Sequence, residues 1–419
     1  MIREAVTRLA REESGRIVAL LAVRFGLDVA DEAVQDALVE ALGWASVPDN
    51  PAAWLYTVAR NRAIDRIRRE NAARRRAMDA AADLAVLTPD YDDPFDEPQQ
   101  EVDAVTELGR VGDERLRLIL LCCHPALAPE AQVALTLRLV CGLTTDEIAA
   151  ALLIPEPTLA QRIVRAKRKI RDARIPLSIP ADIDERLEVV LGVIYLVFNE
   201  GYLARGRVAG ARVDLVDEAL RLTVAVVREV PGRAEVEGLL ALELYAKSRL
   251  STRFANGELV LLEDQDRTRW DLALIEEANL ILDAAMRRLA PGRFQLQAVI
   301  ARYHANARTY ADTDWTAIAT VYARLADIDP SPVVALNRAV AVAMADGPLA
   351  GLALLDGIRG LETYYLWWAT QGELLARAGE PDAAIAAFER ARELATNPAE
   401  LAHLQRRLDR VRASGRMDE

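Results

Sequence analysis

The chain has 419 residues, a formal net charge of −12, a hydrophobic fraction of 52% and an aromatic fraction of only 5%. That length exceeds one small domain and suggests roughly two to four. A mixture rich in alanine, leucine, valine and arginine favours packed helices over a β-sandwich. Three cysteines are too few for a disulfide framework, which fits a reducing compartment. The start MIREAVTRLAREESGR is charged and lacks a signal-peptide core, and the longest apolar run, Val189–Phe198, is far short of the ~20 residues that span a bilayer. The expectation is a cytoplasmic protein with no membrane segment.

Taken in chain order, the periodicity predicts an all-α protein. Three helices are expected first, over Ile2–Phe25, Ala30–Leu42 and Pro51–Arg69, with a loop at Pro48-Asp49-Asn50. Residues 79–104 are acidic and proline-punctuated, the composition of a flexible linker. A second helical unit follows to about Arg174, then Ile175-Pro176 and Ile179-Pro180 mark a hinge. From Asp184 onward helix succeeds helix. The expected boundaries are therefore 1–76, a linker at 77–106, then 107–175, 184–290 and 291–413. In the last of these, Trp368, Gly372, Leu375, Gly379, Ala384, Phe388 and Ala391 have the spacing of a tetratricopeptide-like helix pair, with weaker copies upstream.

The average charge hides strong segregation. Residues 60–76 carry eight arginines against Asp65 and Glu70, and residues 162–174 carry seven Lys/Arg against Asp172. Between them, residues 79–114 hold twelve Asp/Glu and only Arg110. Two basic helices on either side of an acidic strap suit contact with a polyanion, which the net charge alone would argue against.

The second basic segment has the clearer architecture. Thr144 with Glu147 three residues on forms a capping box. Leu153-Ile154-Pro155-Glu156 makes a turn, and a helix over Pro157–Arg174 buries Leu159, Ile163, Ala166 and Ile170. This is a helix-turn-helix pattern. Thr158, Gln161, Arg162 and Arg165 are candidates for base edges, Lys167, Arg168, Lys169 and Arg171 for phosphates, and Thr145 for a further DNA contact. In the N-terminal part, Glu32, Asp36 and Glu40 stack on one face beside Gln35. Like charges at this spacing weaken an isolated helix, so a basic protein partner is expected there. The third helix presents Arg60, Asn61, Asp65, Arg66 and Arg69 on its outer face.

Ala30-Asp31-Glu32-Ala33-Val34-Gln35-Asp36, Pro51-Ala52-Ala53-Trp54-Leu55 and Ala59-Arg60-Asn61-Arg62-Ala63-Ile64-Asp65-Arg66 resemble region 2 of extracytoplasmic-function sigma factors. Leu143–Ala149 through Arg168 resembles their region 4, in the right order and across a linker of suitable length. The remainder looks like the subgroup with a helical-repeat C-terminal extension, through Asn199-Glu200-Gly201-Tyr202 and Leu262–Arg267. The resemblance implies that Asp31, Glu32, Gln35, Asp36 and Glu40 meet the β′ clamp of core RNA polymerase. It implies that Asn50, Arg60, Asn61, Asp65, Arg66 and Arg69 read the −10 element, and that the helix-turn-helix reads the −35 element and touches the β flap. Leu153, where the family usually has a turn glycine, and Ala160, where a basic residue is common, depart from the pattern. The repeats would regulate this activity in cis and could receive a regulatory protein; inhibition and requirement both stay open.

No catalytic constellation, cofactor motif or metal site stands out. Cys122-Cys123-His124 with Cys141 lacks the usual zinc spacing and reads as buried packing. Glu263, Asp264, Asp266 and Arg267 read as an ion-paired loop that docks domains, since no nucleophile or general-base histidine accompanies them. The alternative function is a helix-turn-helix DNA-binding regulator with a repeat-type sensor that does not act as a sigma factor.

Overall fold

Small side chains at three- and four-residue spacing let helices approach closely, and the fold is built from that property. A computed structural model describes residues 2–82, 112–152, 154–180, 183–203, 212–255, 258–289, 291–395 and 398–415. Among these residues the architecture is all-α, with eighteen α-helices. The regular strand pairing described is Phe254–Ala255 against Glu258–Leu259, antiparallel with Phe254 opposite Leu259. Two compact units divide the chain, residues 1–196 and 197–419.

The first unit opens with α1 (Ile2–Phe25), α2 (Leu27–Ala41) and α3 (Pro51–Ala82). All three were expected. However, α3 continues well beyond Arg69, so the first residues assigned to the linker are helical; the rest of the acidic strap lies outside the described residues. Asn50 explains where α3 begins, because its side-chain carbonyl accepts from the Ala53 N–H at 3.0 Å. Next come α4 (Gly112–Cys122), α5 (Pro129–Leu135) and a π-helical turn at Thr136–Val140. The unit continues with α6 (Thr145–Leu152) and α7 (Glu156–Asp172). Helix α8 (Ile183–Leu203) spans the division between units.

The second unit contains α9 (Val213–Glu229), α10 (Ala234–Ser248), α11 (Leu272–Met286) and α12 (Arg293–Asn306). It ends with α13 (Trp315–Ile328), α14 (Pro332–Asp346), α15 (Pro348–Leu355), α16 (Tyr365–Arg377), α17 (Pro381–Leu394) and α18 (Pro398–Gly415). From α12 onward each helix packs on the next. A Cβ on Gly372 would lie 3.0 Å from the Phe388 ring, which is why α16 and α17 cross there. Ala384, Phe388 and Ala391 are buried at that crossing, with Trp368 and Leu375 packed against them.

Helix α12 lacks a capping residue of its own. Gly292 precedes it without a side chain, and Glu235 of α10 supplies the acceptor instead. Its Oε2 accepts from the Phe294 N–H at 3.0 Å and its Oε1 from the Gln295 N–H at 3.1 Å. A carboxylate at a helix N-terminus also meets the positive end of the helix dipole. Replacing Glu235 with alanine should cost about 2 kcal/mol, the upper range for a lost cap, measured by urea unfolding against wild type.

Candidate nucleic-acid interface

Helix α7 is strongly two-sided. Leu159, Ile163, Ala166 and Ile170 are buried on its inner face, matching the expected set. Thr158, Gln161, Arg165 and Arg168 are exposed, and Arg162 is half-buried. Gln161 accepts from the Arg165 guanidinium at 3.1 Å, and Arg168 pairs with Asp172 at 3.2 Å, which prearranges both arginines along the outer face. Helix α6 starts with the expected reciprocal cap. The Thr144 N–H donates to Glu147 Oε2 at 2.9 Å, and the Glu147 N–H donates to Thr144 Oγ1 at 3.3 Å. Thr145 sits half-buried in the first turn, and Leu153 lies outside the described residues.

Lys167 differs from expectation. Its side chain is only 13% exposed and is paired with Asp31 of α2, whose side chain is 7% exposed. In this conformation neither group faces outward. The neighbouring Arg171 pairs with Asp28 of α2 at 2.8 Å, and Arg11 of α1 pairs with Glu147 of α6 at 3.2 Å. Composition showed the charges but not that acidic α2 would meet basic α7. The available signal was complementary spacing, Asp28 with Asp31 against Lys167 with Arg171.

On α2, Ala30, Val34, Ala37, Leu38 and Ala41 are buried while Glu32, Asp36 and Glu40 are exposed. Two of these carboxylates already have partners on α3. Glu32 pairs with Arg66, and Glu40 with Arg62 at 2.6 Å. The like-charge cost of the acidic stripe is offset within the first three helices, so it does not by itself demand a basic partner. On α3, Asn61, Asp65 and Arg69 are exposed and Arg60 is half-buried. Burial, with Arg24 nearby, lowers the Arg60 pKa from its usual value. Arg69 Nε donates to the Asp65 carbonyl at 3.2 Å. Trp54 is half-buried, edge-on to Trp44 with ring centroids 4.9 Å apart.

The cysteines are buried free thiols, and burial pushes the Cys123 thiol up to about 12. No group of three potential metal ligands converges among the described residues. No described helix is long and apolar enough to cross a membrane.

In the second unit, the loop around Leu262–Arg267 is not held by ion pairs among its own acids and arginines. Arg267 donates to the carbonyls of His304 and Ala307, at 2.5 and 2.8 Å, and lies over the Trp270 ring at 4.6 Å. Asp266 accepts from the Thr268 N–H at 3.0 Å, and Asp271 caps α11. Asp264 and Glu263 are exposed, Glu263 on the rim of a cavity of about 390 Å³. His304, Trp315, Met344, Glu373, Arg377 and Arg407 also line that cavity. Arg377 and Arg407 share the single carboxylate of Glu373.

Comparison with known proteins follows the same division. Sigma-70 region 2 matches residues 12–73 and sigma-70 region 4 matches residues 117–170. A family of unknown function, DUF6596, matches residues 186–286. These matches define a sigma factor of extracytoplasmic-function-like type with an additional C-terminal helical domain. The chain belongs to the family of a Rhizobium meliloti protein called "Uncharacterized protein R00370", with 42% identity over 402 residues covering 94% of this chain and 93% of that one. It is also 30% identical over 156 residues to the probable ECF RNA polymerase sigma factor SigI of Mycobacterium tuberculosis, covering 36% of this chain and 49% of that protein.

Burial, with Arg249 and Arg267 nearby, lowers His304 from 6.5 to about 4. The folded pKa lies below the unfolded one, so acid favours the unfolded chain between these values. Stability supplied by neutral His304 is full above about 6.5 and is lost as pH falls toward about 4. His304→Phe should therefore reduce the stability lost between pH 7 and pH 5 by up to about 2 kcal/mol, compared by urea unfolding of both proteins.

Proposed function

We propose that this chain binds core RNA polymerase and directs promoter-specific initiation, with α2 meeting the β′ clamp, α3 reading the −10 element, and α7 reading the −35 element beside the β flap. The exposed row Thr158, Gln161, Arg165 and Arg168, opposite the buried face Leu159, Ile163, Ala166 and Ile170, carries the −35 reading. Arginine there can take guanine edges in the major groove or phosphates, and glutamine can take adenine. Arg60, Asn61, Asp65, Arg66 and Arg69 on α3 suit an AT-rich element that melts at low cost. The polymerase performs the chemistry, so the chain needs no catalytic group of its own. Residues 1–76, 107–175, 184–290 and 291–413 are read as region 2, region 4, an extension domain and a tetratricopeptide-like stack.

The C-terminal half is read as a regulator acting in cis. The mixed apolar and charged cavity bearing Glu373, Arg377 and Arg407 supports a receptor role, because its size falls within the range of ligand sites. Transcription from a promoter selected out of a randomised library, with purified core polymerase, tests the assignment. Full-length protein and a truncation ending near Ile179 should bind core without DNA, and at least one should yield promoter-specific transcripts. Their ratio reads the sign of C-terminal control. Arg165→Ala should reduce −35-dependent initiation roughly tenfold, the lower range for one lost base contact. Absence of core binding by both forms would replace this reading with that of a DNA-binding regulator.

A further inference from the structure

The cavity of about 390 Å³ in the second unit is lined from α12 to α14, from α16 to α18 and from the loop at Leu261–Glu263. Walls on so many sides suit a compact molecule better than an extended chain. Trp315, Val340, Met344, Phe388 and Leu404 make much of that lining apolar. Its charge is unevenly met. Glu373 Oε1 accepts from Arg377 Nε at 3.0 Å, a pair four residues apart on α16. Through Oε2 the same carboxylate also takes Arg407, which arrives from α18, 34 residues further along. Two guanidinium groups thus lean on one acid, and their other donors fare poorly. Arg377 Nη1 reaches the Met344 sulfur at 2.9 Å, and a thioether is a weak acceptor. Arg407 is only 14% exposed, and its Nε is buried with no hydrogen-bond partner. The histidines add no charge at neutral pH. Burial, with Arg249 and Arg267 nearby, lowers His304 to about 4, and burial, with Arg406 and Arg407, lowers His403. Glu263 is exposed on the rim, where solvent and salt screen it. Inside that rim the lining holds one positive charge more than its carboxylate neutralises.

We propose that this cavity binds a small organic carboxylate with an apolar body, and that Arg407 receives the charged end. The inference rests on reading the C-terminal half as a receptor, and it names the class of ligand. Glu373 keeps a partner in Arg377 on its own helix, so Arg407 can turn to a ligand without stranding a charge. A planar guanidinium takes a carboxylate through two parallel N–H donors, and Nε with one Nη forms such a fork. Trp315, Met344 and Phe388 then cover the apolar body, so burial adds to charge. A cation would meet two arginines here, and an apolar neutral molecule would leave the buried Nε unsatisfied.

Calorimetric titration of the full-length chain with cinnamate, and with its neutral analogue cinnamyl alcohol, tests this. Cinnamate should bind wild type at least about tenfold more tightly than the alcohol, the worth of one hydrogen bond to a charged group. Arg407→Met should erase that preference while the alcohol still binds, which shows the cavity intact. Glu373→Gln should act in the opposite direction. It removes a competing and repelling acid, and should tighten cinnamate binding about tenfold. Damage to the fold cannot produce such a gain. Equal binding of the two probes to wild type overturns the carboxylate proposal and leaves a receptor for neutral molecules. A preference that survives Arg407→Met overturns it too, as does unchanged or weaker cinnamate binding by Glu373→Gln. If neither probe binds wild type or Glu373→Gln, the receptor reading of this cavity falls together with the proposal.

Discussion

Close approach between helices, allowed by glycine and alanine, is the constraint on which the rest of this structure depends. With aromatic residues at only 5%, the chain cannot fill wide gaps with large rings. It brings backbones together instead. Gly15 lies against Val140, Gly238 against Gln295 and Gly372 against Phe388, each where a Cβ would crowd the neighbour. Such crossings leave little tolerance for enlargement, since overpacking a close contact typically costs about 1–3 kcal/mol. They also set the positions of the polar groups above them, including Glu235 over the α12 N-terminus and Glu147 beside Arg11.

Electrostatics then works at two levels. Along the chain, charge is segregated into basic helices and an acidic strap. In three dimensions, many of those charges are satisfied internally: Glu32 by Arg66, Glu40 by Arg62, and Asp31 by Lys167. The first two are exposed pairs worth roughly 0–1 kcal/mol each. The Asp31–Lys167 pair is different, because removing Lys167 strands the buried Asp31 carboxylate, a loss that typically costs about 3–5 kcal/mol. Of the six basic residues of α7, Arg165, Arg168, Lys169 and Arg171 are exposed, whereas Arg162 and Lys167 are half-buried.

In the second unit, the loop before α11 satisfies its charges on backbone groups instead. The Arg267 guanidinium donates to carbonyls at the end of α12, while the Asp266 and Asp271 carboxylates accept from backbone N–H groups at helix starts. A run such as Glu263-Asp264-Gln265-Asp266-Arg267 reads as ion pairing in one dimension because its charges are adjacent. Caps are local and could have been read from Asp271 before an apolar run. Carbonyl partners 37 and 40 residues away could not.

The sequence by itself determined the helical class, the capping box at Thr144, the inner face of α7 and the order of the two sigma regions. All of these follow from local spacing: three- and four-residue periodicity, a cap three residues from its partner, and motifs contained within one helix. Tertiary structure alone decided which charges remain available. Lys167 and Arg168 are neighbours of the same charge, yet one is half-buried against the buried Asp31 and the other lies in solvent. That distinction arises from contacts 136 residues apart, and side-chain chemistry sets no partner at such a distance until the backbones have met.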